Sequence, residues 1–402
     1  MSEWVECTIS DIGTVVGGAT PSTKKSENYV DGKIAWITPK DLSTFKGRYI
    51  VSGERNITES GLKSCSTKLL PKNTVLFSSR APIGYIAIAA NDLCTNQGFK
   101  SVIPNENTDP LFLYYLLKFN KDKIESMGSG TTFKEISAKV MKNIKVFVPT
   151  SKSMQKNIAS ILGAIDNKIE LNNSINNNLI EQLNLLYTEF STRKQWPEMT
   201  IGDIAEKVAM GPFGSNIKVS TFVEKGIPII SGNHLRNYFL EEPSYNYITE
   251  EHASKLKNSI VYPKDIVFTH AGNIGQVAMI PEGSHFPYYI ISQRQFYLRC
   301  NTKLIMPEYV LLFFHSKTGQ HELLSYANQT GVPSIARPAT NLKKIRIPIP
   351  SLDEQKEWLS VISPIIKMYQ NNYLETERLS MLRDTLLPKL MSGELDISDI
   401  EL

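Results

Sequence analysis

The chain repeats itself. Trp4-x-Glu6-x-Thr8-Ile9-x-Asp11-Ile12 returns as Trp196-x-Glu198-x-Thr200-Ile201-x-Asp203-Ile204, a shift of 192 positions. A duplication on this scale narrows the possible architectures, because whatever the first copy folds into, the second must fold into as well. The register continues through both copies. Ile57-Thr58-Glu59 answers Ile248-Thr249-Glu250, Pro71-Lys72 answers Pro263-Lys264, and Ile83-Gly84 with Ala87 answers Ile274-Gly275 with Ala278. Gln97 answers Gln293, Pro110 answers Pro307, and Gln155-Lys156 answers Gln355-Lys356. At Val146-x-Val148-Pro149 and Ile347-x-Ile349-Pro350 the shift has grown to 201, the drift that a few loop insertions produce.

Two long copies imply two compact units rather than a solenoid. Each reads as α+β. Short β-branched and aromatic runs, Ile34-Ala35-Trp36-Ile37, Thr74-Val75-Leu76-Phe77, Tyr85-Ile86-Ala87-Ile88 and Ile144-Lys145-Val146-Phe147-Val148, predict a twisted mixed sheet. Pro110 to Phe119 and Pro307 to His315 predict helices with proline in the first turn. A hydrophobic share of 41% suffices for a core in each copy. No run of eighteen apolar residues occurs and Met1-Ser2-Glu3-Trp4 is not a signal peptide, so a soluble, cytoplasmic protein is expected. Cys7, Cys65, Cys94 and Cys300 are scattered singly, which argues against disulfides and against a Cys-x-x-Cys metal site.

Each copy ends in a stretch with the period of a coiled coil. Ile158, Leu162, Ile165, Ile169, Asn172, Asn176, Leu179, Leu183, Leu186 and Phe190 alternate steps of four and three. Two hundred positions on stand Trp358, Ile362, Ile365, Tyr369, Asn372, Thr376, Leu379, Arg383, Leu386 and Leu390. Ser351-x-x-Glu354 offers the second helix a capping box, Ser151-x-x-Met154 lacks the acidic partner, and Pro364 is expected to kink the second helix. From Ser153 to Ser191 a helix spans roughly 58 Å at 1.5 Å per residue, the dimension of a spacer. A closed pseudo-two-fold arrangement of the copies makes the two helices antiparallel, so that Asn172 and Asn176 meet Asn372 and Thr376 in a polar layer. The other reading places those polar residues in solvent.

With these features the chain resembles the specificity subunit of type I restriction-modification systems. The resemblance covers essentially all of it. The paired openings fit, as do Ile83-Gly84 and Ile274-Gly275, Pro350 with Glu354-Gln355, and the closing Leu386-Leu387-Pro388-Lys389-Leu390-Met391-Ser392-Gly393-Glu394-Leu395; Met154 before Gln155 is a departure in the first copy. The resemblance implies target-recognition domains at 1–150 and 193–350, with helical spacers at 151–192 and 351–402. It implies that each domain reads one part of a split, asymmetric double-stranded DNA sequence. It further implies two docked adenine-N6 methyltransferase subunits using S-adenosylmethionine, and restriction subunits that use ATP and Mg for translocation and cleavage.

The chain itself lacks the motifs of those chemistries. No two prolines are adjacent, as the Asp/Asn-Pro-Pro-aromatic motif of amino-methyltransferases requires, and no Gly-x-x-x-x-Gly-Lys-Ser/Thr occurs. The six histidines (His234, His252, His270, His285, His315 and His321) have no zinc spacing. No catalytic residue, metal or cofactor is therefore assigned to this chain.

Candidate DNA contacts fall in three pairs of segments. Ser79 and Arg80 lie in the loop that aligns with His270 and Asn273. Gln97 and Lys100 lie opposite Gln293 and Arg294, whose amide and guanidinium groups suit adenine and guanine edges. Ser129, Thr131 and Lys134, with Gln329 and Thr330 in the second copy, offer hydroxyls, amides and charge to phosphate. For each, a structural role in a turn or helix entry is the alternative. Net charge is only +4, and the seven lysines between Lys118 and Lys145 also read as a solvated face. A non-DNA scaffold carrying two diverged protein-binding domains is the alternative for the whole chain.

Overall fold

The computed structural model describes residues 4–80, 82–130, 134–242, 244–328, 331–395 and 397, with Ser215 described by its backbone alone. It comprises two compact units: Met1–Ser174 with Tyr373–Leu402, and Ile175–Asn372. Both are α+β.

In the first unit a five-stranded sheet runs in the order Gly13–Gly17, Lys100–Pro104, Val75–Ser79, Ile83–Ala89, Tyr49–Ile50. Its neighbours are antiparallel except the last pair, which is parallel. A three-stranded sheet places Ile34–Ile37 between Arg55–Ile57 and Cys94–Thr95. The helix Pro110–Phe119 starts where Asp109 accepts from the amides of Leu111 and Phe112, and Pro110 needs no partner for an amide it lacks. It buries Phe112, Leu113, Tyr115, Leu116 and Leu117 beside Phe77 and Val75 of the sheet, each side chain contributing about 1.5–3 kcal/mol.

The second unit repeats this plan. Its antiparallel sheet runs Ala205–Met210, Gln295–Cys300, Ile266–Thr269, Val277–Met279, and a second sheet centres on the parallel pair Ile227–Ile230 and Tyr289–Ile291. The helix Pro307–His315 covers the core, where Phe268 stacks on Phe296 at 5.0 Å.

The repeated opening motif is explained by local chemistry. The Thr8 amide donates to the Asp11 carboxylate at 2.7 Å and the Thr200 amide to Asp203 at 3.1 Å, each capping a single helical turn that buries two isoleucines. Glu6 pairs across the strands with Lys145 at 2.8 Å, and Glu198 with Arg346 at 3.0 Å. What the repeat preserves here is a strand-to-turn joint.

The long helices are Lys152–Thr192 and Leu352–Met391. The second is continuous through Pro364. Ser351 and Glu354 form the capping box, with the Ser351 hydroxyl donating to the carboxylate at 2.6 Å, whereas Ser151 only accepts from the Met154 amide at 3.4 Å.

Within each unit the helix segments pair antiparallel. In the first, Asp166 pairs with Arg383 at 3.0 Å, Lys168 with Glu375 at 3.1 Å, and Asn172 donates to Glu375 at 2.8 Å. In the second, Asn372 donates to Asn176 at 3.0 Å, Asn176 donates to the Tyr369 carbonyl at 3.2 Å, and Phe190 stacks on Trp358. The asparagines are therefore in the seam: Asn172 is fully buried and Asn176 nearly so.

Ile158, Leu162, Leu179, Leu183, Phe190, Trp358, Ile362, Tyr369 and Leu390 are buried as expected. Ile165, Ile169, Leu186, Ile365, Asn372, Leu379 and Leu386 are half-buried, and the buried places beside three of them belong to Asp166, Tyr187 and Leu387. The reason is geometric: a straight helix turns every 3.6 residues, so its inner face drifts away from a strict 3.5-residue repeat.

Candidate functional site

In each unit the three candidate segments converge at one end of the main sheet. In the first unit the strand Val75–Ser79 delivers Arg80, the turn at 96–100 lies beside it, and Ser129 pairs with Glu135 in an antiparallel bridge. The Ser79 amide donates to the Gly98 carbonyl at 2.7 Å, and the Ile136 amide donates to the Ser79 carbonyl at 2.9 Å. The three segments are thus one hydrogen-bonded assembly. Glu135 bridges two cations, with Lys100 at 3.3 Å and Arg80 at 3.6 Å.

The second unit repeats the backbone. The His270 amide donates to the Arg294 carbonyl at 2.9 Å, and the Ile335 amide to the His270 carbonyl at 2.8 Å. Hairpin Ala327–Asn328 with Ser334–Ile335 stands where Ser129 and Glu135 stand in the first unit. The side chains differ. Ser334 replaces the carboxylate, and Arg294, exposed, extends toward Gly272, whose φ of +86° favours glycine. The His270 ring donates to the Gln293 carbonyl at 3.1 Å, and burial holds its pKa below the ordinary imidazole value, so the ring is neutral near pH 7.

Three candidates have structural work. Ser79 is fully buried with its hydroxyl donating to Gly98, so it fastens the turn instead of reaching a ligand. Gln293 donates to the carbonyls of Gly214 and Ile217 at 2.6 and 3.0 Å, and Gln97 accepts from the Thr20 hydroxyl. Both amides brace the loop after the first strand of the main sheet while remaining exposed. Ser129, Lys134 and Asn273 are exposed. Thr131, Gln329 and Thr330 lie outside the described residues.

The lysine run divides. Lys145 pairs with Glu6, Lys123 donates to the Lys145 carbonyl, and Lys118 sits over the Tyr114 ring with its pKa lowered by burial. Lys134, Lys139 and Lys142 are exposed and have no ion pair among the described residues.

Sequence reasoning missed three features. Glu135 carries the cation cluster, and its place inside a lysine run concealed that. Phe213 and Val332 are 77% and 67% exposed in the loop and hairpin that flank Gln293 and Arg294, an apolar display with no sequence signature. Gln155 and Gln355, noted as repeat partners and for the resemblance but given no contact, are buried clamps: Gln155 joins the Pro149 carbonyl to the Asp109 amide, and Gln355 joins the Pro350 carbonyl to the Met306 amide. Among the described residues no group of His, Cys, Asp and Glu could hold a metal, and no helix is long and apolar enough to cross a membrane.

The chain matches the model of the type I restriction modification DNA specificity domain twice, over residues 1–182 and 193–379. It is 31% identical to the type I restriction enzyme MjaIX specificity subunit of Methanocaldococcus jannaschii, across 99% of this chain and 95% of that protein. It is 32% identical to the EcoR124I/EcoR124II specificity subunit of Escherichia coli over 47% of this chain and 46% of that one. In fold it is similar to the crystal structure of a type I restriction-modification S subunit from M. genitalium, with a TM-score of 0.60 at 17% identity, covering 99% of this chain and 97% of that one.

Proposed function

Because the chain belongs to the type I restriction-modification DNA specificity family and carries that domain twice, we propose that it reads a split, asymmetric DNA site, one part with each unit. It is a targeting subunit, not an enzyme. The observation that carries the proposal is the shared frame: in both units the same three segments are hydrogen-bonded in the same register, while the side chains they display differ. A common scaffold with unlike side chains is what reading two different sequences requires, since phosphate contacts position a protein and base-edge contacts specify.

In the first unit Arg80, Gln97, Lys100, Ser129 and Lys134 form the contact face, with Ser79 behind it. In the second, His270, Asn273, Gln293 and Arg294 form it. The recognition domains are 1–150 and 193–350, and the helices Lys152–Thr192 and Leu352–Met391 receive the partners. Those partners are two adenine-N6 methyltransferase subunits, which bring S-adenosylmethionine, and restriction subunits, which bring ATP and Mg. The assembly works in the cytoplasm.

Selection of duplexes from random DNA by the chain together with its cognate methyltransferase tests this reading. A gapped consensus with unlike halves is expected. Enrichment of an ungapped or symmetric sequence, or of none, refutes it.

A further inference from the structure

A carboxylate on a face meant for DNA is repelled by every phosphate that approaches, so Glu135 calls for a physical account. Its backbone is fixed: Glu135 and Ser129 exchange amide-to-carbonyl bonds at 2.9 and 3.2 Å, and the next amide, of Ile136, is held by Ser79. Its side chain is about 40% exposed, and its two oxygens face Lys100 at 3.3 Å and Arg80 at 3.6 Å. Both separations exceed the 2.7–2.9 Å typical of a tight charge-assisted bond. The base of the Glu135 side chain is therefore held beside the cations; Arg80 is 36% exposed and can turn toward a phosphate, whereas Lys100, 13% exposed, stays between Glu135 and the Ser79 hydroxyl.

We infer that Glu135 is a specificity-determining residue that suppresses nonspecific DNA binding by the first unit. The inference rests on the reading of this face as a DNA interface. A phosphate of any sequence meets a cluster of net charge +1 instead of +2, and must compete with Glu135 for Arg80 and Lys100. A nonspecific complex, held by charge alone, has nothing to offset that competition. A matched sequence adds base contacts and does. The second unit has neither the anion nor the cation at these positions: Ser334 occupies the register position of Glu135 and Ala271 that of Arg80, while Arg294, at the position of Gly98, has no carboxylate partner among the described residues.

The test compares the full chain, with its methyltransferase, against Glu135→Gln and Glu135→Ser, the second placing in the first unit the residue found at Ser334. Binding is measured to the selected duplex and to a scrambled duplex of equal length over a range of salt, with melting temperature as a check on folding. Both substitutions are expected to tighten scrambled binding by roughly threefold to tenfold and to steepen its salt dependence by about one counterion. Binding to the selected duplex should tighten less, so the ratio of specific to nonspecific affinity falls. An unchanged ratio in both folded variants overturns the inference, as does a loss of specific affinity without a gain on scrambled DNA. Arg80→Ala and Lys100→Ala separate the two levels: if they weaken binding and the Glu135 variants leave the ratio unchanged, only the inference fails. If neither affects any affinity, the DNA reading of this face fails with it.

Discussion

The two units hold the same segments together with the same backbone bonds, yet arrange charge in opposite ways. The first gathers Arg80 and Lys100 around one carboxylate; the second leaves Arg294 without an ion pair among the described residues and exposes Phe213 and Val332 beside it. In both, main-chain hydrogen bonds, braced by Gln97 or Gln293, hold the frame. The lesson is that backbone bonding sets the shape of the face and leaves its side chains free to diverge. A duplicated domain can then come to read two sequences.

The strongest way to break the comparison is to attack the shared frame. Phe77 and Phe268 occupy the same register in the two main sheets and are wholly buried. Phe77→Ala and Phe268→Ala should each cost about 3–5 kcal/mol, and calorimetry should show the loss confined to the altered unit. Equal destabilisation of both units by either change would contradict their independence.

Acid should distinguish the units next. All six histidines fall in the second. His315 stacks on Tyr238 at 3.6 Å and donates to the Val277 carbonyl at 2.9 Å, and burial pushes its pKa from 6.5 down to about 4. Protonation therefore favours the unfolded chain. The contribution of His315 is complete above the unfolded value and is lost as pH falls from about 6.5 to about 4, up to roughly 3 kcal/mol. Over that window the second unit should lose more stability than the first, and His315→Gln should remove the difference.

Specificity sharpens the contrast further. Arg294→Ala should cost about 1–3 kcal/mol of specific affinity and relax only the half of the consensus read by the second unit. An equal loss on scrambled DNA would make Arg294 a phosphate contact. The smallest effect is expected in the helices. A double-mutant cycle on exposed Lys168 and Glu375 should give about 0.2–1 kcal/mol, less than the cycle on buried Asp166 and Arg383, where the Tyr115 hydroxyl also donates to Asp166.

Much of this was legible in the residues. The helices Pro110–Phe119 and Pro307–His315 begin and end where proline, capping and apolar spacing place them. The loop around Arg80 and the loop around His270 align in sequence and stand in matching register. The heptad stripe located the seam but misplaced part of its buried edge, since Asp166 and Tyr187 lie inside where Ile165 and Leu186 were expected. Ser79 is a further correction, because a hydroxyl in a polar loop looks available until the sheet buries it.

The order of residues alone determined the duplication, through motifs that return 192 to 201 positions on, and the two long helices, their caps and the α+β class, which depend on neighbours a few positions apart. Only the tertiary structure decided that Glu135 faces Arg80 and Lys100, that Gln155 and Gln355 clamp each long helix to its unit, and that the Asp166–Arg383 ion pair occupies the seam. Those contacts join residues far apart in the chain, and a side chain's partner across such a distance is set by how sheets and helices pack, which local sequence pattern does not encode.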